Sequence, residues 1–192
     1  LGGKSLGRLD AQAVPRRFGW RLRLRAPDRE QGRLLSFYRV PTTTGADERY
    51  YTGDHYVDYE AEAAGQSRLV ADLLQTSAAC SPVLEVGCAT GVLTAELAAR
   101  GYDVHALEPS SWAVERARAR VGEARVVQGT LDATGLPAEL AARGPFRTIV
   151  MWSVLEHCAE PFAALGAITR SAAPDARLIL HTSNARSEEH TS

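Results

Sequence analysis

From Pro82 onward the sequence alternates between short apolar runs and longer stretches with helical spacing. That alternation restricts the fold more than any other feature. PVLEV, residues 82–86, reads as a short buried strand. TGVLTAELAARG reads as a helix that starts near Thr90 or Gly91 and is stopped by Gly101. DVHALE gives a second strand, closed by Pro109. SSWAVERARARVG opens on a serine cap candidate and runs as a helix to Gly122. ARVVQG is a third strand, and a loop with a short helix follows through LDATGLPAELAARG. FRTIVMWS, EPFAALGAITRSA and ARLILHTS complete the run as strand, helix with Pro161 in its first turn, and strand. Such an order predicts an α/β fold: a Rossmann-like, doubly wound, mostly parallel sheet with helices on both faces. Ligands of such sheets bind outside the carboxyl ends of the strands, where the strand order reverses.

The first strand ends on VLEVGCATG, Val83 to Gly91, which is odd for a strand that serves only the core. Gly87 permits a tight turn where a Cβ would clash. Ala89 and Gly91 keep the following turns small, so that a ligand can approach the main chain. The helix beginning there directs free N–H groups at that ligand. Seventeen residues past Gly91 the second strand ends on Glu108. An acid at about that distance from a glycine loop accepts the hydroxyls of a ribose. The row Gly87-Cys88-Ala89-Thr90-Gly91-Val92 departs from the dinucleotide fingerprint G-x-G-x-x-G at two of its three glycines. Glu85, inside the strand, would repel a pyrophosphate and suits a ligand carrying an amino group and a sulfonium.

LEVGCATG resembles the glycine motif E/D-x-G-x-G-x-G of class I S-adenosylmethionine-dependent methyltransferases, with Ala89 at the middle glycine. Four more segments resemble motifs of that family in its order. HALEPS places Glu108 on the ribose. GTLDATGLP resembles the adenine loop, with Thr130, Leu131 and Asp132 lining the base. IVMWSVLEHCAEP resembles the fourth-strand motif V-L-E-H-x-x-x-P. AAPDARLILHTSN resembles K-P-G-G-x-L-x-I-x-T-P-N, with Pro174, Asp175 and Ala176 in place of P-G-G. The resemblance covers residues 50–184 and implies S-adenosylmethionine as cofactor, held by Glu85, Gly87, Cys88, Ala89, Gly91, Glu108, Thr130, Leu131, Asp132 and Trp152. Two departures stand out. Arg147 replaces the acid that usually follows the phenylalanine opening the fourth strand. Ser153 replaces the first glutamate of the metal-binding E-x-x-E-H of one O-methyltransferase branch, so no metal is expected.

Methyl transfer from a sulfonium needs an aligned nucleophile and exclusion of water more than it needs acid or base chemistry. His157, beyond the fourth strand, is the base candidate for an acceptor that must lose a proton; ordering its own loop is the plainer role. Trp152 would wall the methionine side, and Trp112 would cover the adenine or pack its helix face. Tyr51, His55 and Tyr56 belong to a tyrosine-rich lead-in, RYYTGDHYVDYEAE, that would close over the site. Cys88 has no neighbouring His or Lys to make it a nucleophile and reads as small loop filler. The expected function is methyl transfer to the oxygen, nitrogen or carbon of a small molecule. A non-catalytic S-adenosylmethionine-binding module and a nicotinamide-dependent oxidoreductase are the alternatives.

Residues 1–40 hold ten of the 22 Lys and Arg but only three of the 23 Asp and Glu. Residues 1–48 are read as a solvated basic extension, and the rest of the chain is acidic, so no nucleic-acid partner is expected. A helix begins near Glu60, with Ala64, Leu69, Val70, Leu73 and Leu74 as its apolar stripe. Residues 49–185 form the expected core. Three cysteines in no C-x-x-C pair suit a reduced, cytoplasmic protein. No apolar run reaches the ~18 residues of a membrane span. RSEEHTS, Arg186 to Ser192, has no apolar residue and matches the translation of a sequencing adapter. The natural sequence is therefore expected to end near Ala185, leaving a seven-strand fold short of its last two strands.

Overall fold

The computed structural model describes residues 48–52, 59–131 and 135–182. The expected extension before Glu48, the expected tail from Arg186, and His55, Tyr56 and Asp132 lie outside them. Six helices and five strands are described: α1 (Glu48–Thr52), α2 (Tyr59–Thr76), β1 (Val83–Val86), α3 (Val92–Ala99), β2 (Val104–Glu108), α4 (Ser111–Val121), β3 (Val126–Gln128), α5 (Ala138–Ala141), β4 (Phe146–Trp152), α6 (Pro161–Ser171) and β5 (Ala172–His181). The sheet order is β3-β2-β1-β4-β5, and every pairing is parallel. The order reverses between β1 and β4, so the glycine loop that follows β1 lies at the reversal.

All four residues of β1 are buried, as befits a central strand covered on both faces. Successive side chains point to opposite faces. Val83 faces α2 and α3, with Val104, Val150, Val70, Leu74 and Leu97. Leu84 and Val86 face the other way, with Leu107, Phe146, Met151, Leu140 of α5 and Ile168 of α6. Each such fully buried branched side chain contributes about 1.5–3 kcal/mol. By the same parity Glu85 lies on the α2–α3 face. Thr148 is wholly buried in β4 and fastens the approach to β1, donating to the Cys80 carbonyl at 2.8 Å and accepting from its N–H at 3.0 Å.

Three details differ from the sequence expectation. The buried line of α2 is Ser67, Val70, Ala71 and Leu74, whereas Leu69 and Leu73 are 54% and 39% exposed. Both leucines sit one helical step off the line that meets the sheet, so the expected stripe was too wide. β5 begins at Ala172 rather than Ala176, with an irregularity in its pairing to β4. Pro174 lies there and cannot donate to the ladder. Arg147 is exposed near the amino end of β4 and pairs with Asp175 at 3.0 Å. The missing acid of that motif therefore lies at the end of the strand opposite to the candidate site.

Candidate active site

The carboxyl ends of β1, β2 and β4 carry groups that the sequence singled out, the end of β5 adds His181, and the strand register puts them in one row. Val86 pairs with Leu107 and with Met151, and Trp152 pairs with His181. One residue past Val86, the row therefore runs Glu108, Gly87, Trp152, His181. At about 4.8 Å per strand it spans ~14 Å. Glu85 lies two residues below Gly87 on the α2–α3 face.

The loop after β1 depends on backbone geometry. Gly87 and Gly91 have φ of 75° and 78°, and Ala89 also takes a positive φ of 48°. A Cβ on Gly87 would lie 2.4 Å from Val154 Cγ2, so the residue needs glycine for space as well as for conformation. A Cβ on Gly91 would lie 3.0 Å from Ala117 of α4, which brings α3 and α4 close together. Ala89 fills the middle position at the usual cost of a left-handed L-residue, about 1–2 kcal/mol. Gly91 caps α3 without a side-chain bond, which leaves the first-turn N–H groups directed at the cleft.

Glu108 is buried, and both of its oxygens are engaged. Oε2 accepts the Ala89 N–H at 2.9 Å, and Oε1 accepts the Ser110 N–H at 3.0 Å. The Tyr51 hydroxyl also donates to Oε1, at 3.4 Å. Burial pushes this carboxyl above its usual range, against the opposing pull of the three donors. Ser110 also caps α4, accepting the Ala113 N–H at 3.3 Å, so one residue sets both the helix start and the carboxylate. Tyr51 stacks on Trp112, with ring centroids 5.2 Å apart and planes 8° from parallel. The lead-in thus reaches Glu108 through Tyr51.

Glu85 accepts a 2.6 Å hydrogen bond from the buried hydroxyl of Thr94 on α3. Burial, opposed by that bond and reinforced by the charge of Glu108, pushes its carboxyl up to about 7. Glu60 of α2 spans the mouth of the loop, accepting from Thr90 Oγ1 and from Arg120, each at 2.7 Å. Cys88 packs its thiol among Ala106, Val114 and Ala117, so its part in the loop is main chain only. Burial and the charges of Glu85 and Glu108 push that thiol well above its ordinary range, as loop filler requires.

The other expected residues are less drawn together. Thr130 is exposed, and Leu131 leans on the core. His157 is exposed on the single 3-10 turn Leu155–His157 that follows β4. Trp152 is partly buried against the α2–α3 cluster, and its indole N–H donates to Gln66 Oε1 at 3.2 Å. Its ring stacks on His181 at 4.3 Å, with planes 16° from parallel. Ser153, with a φ of 54°, contacts His181 twice: its N–H donates to the His181 carbonyl at 3.0 Å, and its Oγ lies 3.0 Å from Nδ1. Thr182 donates to Glu156 at 3.1 Å and ties the 3-10 turn to the end of β5. Ser153 and His181 were not expected from the sequence. Strand parity from Trp152 would have found His181, given the β4–β5 register. Among the described residues no group of three or more His, Cys, Asp or Glu could hold a metal ion, and no helix is long and apolar enough to cross a membrane.

A parallel sheet with a left-handed glycine loop after β1 and an acid ending β2 is the nucleoside-binding arrangement of a Rossmann-like domain. Residues 54–192 match the family model described as a methyltransferase domain, and the chain belongs to that family. Its sequence is similar to the ubiquinone biosynthesis O-methyltransferase of Caulobacter sp. strain K31, at 28% identity over 102 residues, 53% of this chain and 40% of that protein. It is also similar to the enzyme of that name from Psychrobacter arcticus, at 28% over 138 residues, 70% and 48% respectively. The chain thus spans less than half the length of either relative. Among solved structures it resembles DesVI of Streptomyces venezuelae, at 25% identity with a TM-score of 0.47, covering 60% of this chain and 48% of that one.

Proposed function

We propose that this chain binds S-adenosylmethionine across the ends of β1 and β2 and transfers its methyl group to the oxygen, nitrogen or carbon of a small molecule. The observation that carries the reading is the pairing of the left-handed 87–91 loop with the buried Glu108, whose Oε2 already holds the Ala89 N–H. The residues present fit that cofactor. Glu108 Oε1 holds its most distant donor, the Tyr51 hydroxyl, at 3.4 Å, and a ribose hydroxyl is the same kind of donor. Gly87, where a Cβ has no room, lets the main chain of Gly87, Cys88, Ala89 and Gly91 meet the amino-acid portion. Glu85 offers a buried carboxylate to the positive end of the ligand. Thr130, Leu131 and Asp132 are assigned to the adenine, and Trp152 to the methionine side.

The cofactor supplies an activated methyl group and a neutral leaving group. This chain's residues bind, orient and exclude water, which accounts for ~7–11 kcal/mol of barrier in well-aligned reactions. His157 is the sequence's candidate for a base. All three cysteines are free, which suits a cytoplasmic location. The test is equilibrium dialysis with S-adenosylmethionine, S-adenosylhomocysteine and NAD, followed by methyl release with a panel of hydroxyl, amine and carbon acceptors. Retention of the first two and not NAD supports the assignment, and turnover separates an enzyme from a binding module. Retention of NAD alone points to an oxidoreductase and sinks the assignment.

A further inference from the structure

We propose that His181 is the group that receives the acceptor's proton, with Ser153 as its positioning residue, and that the acceptor is a hydroxyl compound. The proposal rests on the cofactor assignment above and goes beyond it.

Four observations converge. First, His181 ends β5 in the same row as Glu108 and Gly87, on the α2–α3 face shared by Glu85 and Trp152. If the ribose lies at Glu108 and the amino-acid portion over Gly87, the remaining stretch of that row, toward β5, is left for the acceptor. Second, the imidazole is held flat on Trp152 at 4.3 Å, while Trp152 is itself tied to Gln66 of α2. Third, Ser153 Oγ lies 3.0 Å from Nδ1. When Nδ1–H donates to that oxygen, Nε2 is left as an acceptor. Fourth, Ser153 holds this place at a φ of 54°, a conformation that favours glycine. The residue that follows β1, Gly87, takes its positive φ as a glycine, whereas the residue that follows β4 carries a hydroxyl there against the backbone preference.

Of the two heteroatom acceptors, a hydroxyl is the one that needs such a group, and its O–H is far more readily deprotonated than a C–H. A neutral amine brings its own lone pair, whereas a hydroxyl is a poor nucleophile until its proton leaves. In the proposed step the acceptor O–H bond breaks and its proton goes to Nε2. The electron pair stays on oxygen, which becomes the nucleophile. The imidazolium returns the proton to water after turnover. His157, exposed on the 3-10 turn, is the rival for this role.

The test uses the chain labelled with 15N-histidine, in which the signals of His181 and His157 are assigned among the five histidines with His181→Gln and His157→Gln variants. The imidazole titrations are followed by NMR in saturating S-adenosylhomocysteine and then S-adenosylmethionine. The two ligands differ by a methyl group and one positive charge at sulfur. A reacting centre beside His181 places that charge within several ångströms, which lowers its titration midpoint by about 0.5–1 pH unit. The neutral ring is also expected to carry its proton on Nδ1, and Ser153→Ala to weaken that preference. A midpoint for His181 that is equal in the two complexes overturns the proposal. So does a shift seen at His157 instead. Calorimetry on the same samples separates this failure from the other: absence of binding by either ligand overturns the cofactor assignment and the proposal with it.

Discussion

The carboxyl ends of β1 and β4 use the same backbone device with different residues. Both strands hand over to a residue with positive φ, Gly87 at 75° and Ser153 at 54°. At β1 a side chain has no room, because Val154 lies 2.4 Å from where a Cβ would be. At β4 the side chain is present and in contact with His181 at 3.0 Å. The difference separates two kinds of site. The β1–β2 half presents main chain, buried carboxylates and a helix terminus, which suit a ligand of fixed shape. The β4–β5 half presents the side chains of Trp152, Ser153 and His181, which is the half proposed above to meet the acceptor.

The comparison can be broken most forcefully at Gly87. Gly87→Ala adds the left-handed cost to the overlap with Val154, and a loss of about 3–4 kcal/mol in urea unfolding is expected. A second change, Val154→Ala, removes the overlap alone and is expected to recover about half. Full additivity of the two substitutions would show that Val154 is not what excludes a side chain there.

Glu85 is the next lever. Its carboxyl has an ordinary value of 4.5 and is pushed up to about 7. A raised carboxyl favours the folded state most below its unfolded value, and that contribution is lost as pH rises through the folded value. Stability is therefore expected to fall between about pH 4.5 and 7, by roughly 3 kcal/mol in total. Glu85→Gln keeps an oxygen for Thr94 and removes the titration. The variant should match the parent near pH 4 and exceed it by about that amount at pH 8. Parallel stability curves would contradict the burial of this group.

The smallest effect lies at β4. Ser153→Gly relieves the left-handed backbone, and a gain of about 0.5–1 kcal/mol is expected, offset in part by the freedom glycine has when unfolded. A clear loss would mean that the Ser153–His181 contacts hold the fold rather than serve a site.

Legibility followed the same division. The positions of the strands and the loop could be read from residue type because only certain residues satisfy them: β-branched residues in a strand buried on both faces, glycine where φ is positive, serine at the start of α4. Glu108 could be read from its spacing. The α2 stripe was misread at Leu69 and Leu73, since periodicity gives the helix but not the width of the surface that covers it. Tyr51 was read as one of several aromatics near the site, with nothing local to indicate that its hydroxyl would meet Glu108, 57 residues away. His181 was passed over as the end of a strand. Its importance comes from the register with Trp152, a non-local quantity that no window of sequence contains.

The division of labour is tested most directly by the affinity for S-adenosylhomocysteine, measured by calorimetry for the parent, Glu108→Gln and His181→Gln. Loss of the charged acceptor at Glu108 is expected to cost about 2 kcal/mol, or roughly 30-fold in Kd. His181→Gln is expected to change Kd by less than about twofold if that residue serves the acceptor, as proposed, rather than the cofactor. A Glu108→Gln variant that stays folded and binds as tightly as the parent would contradict the account at its centre.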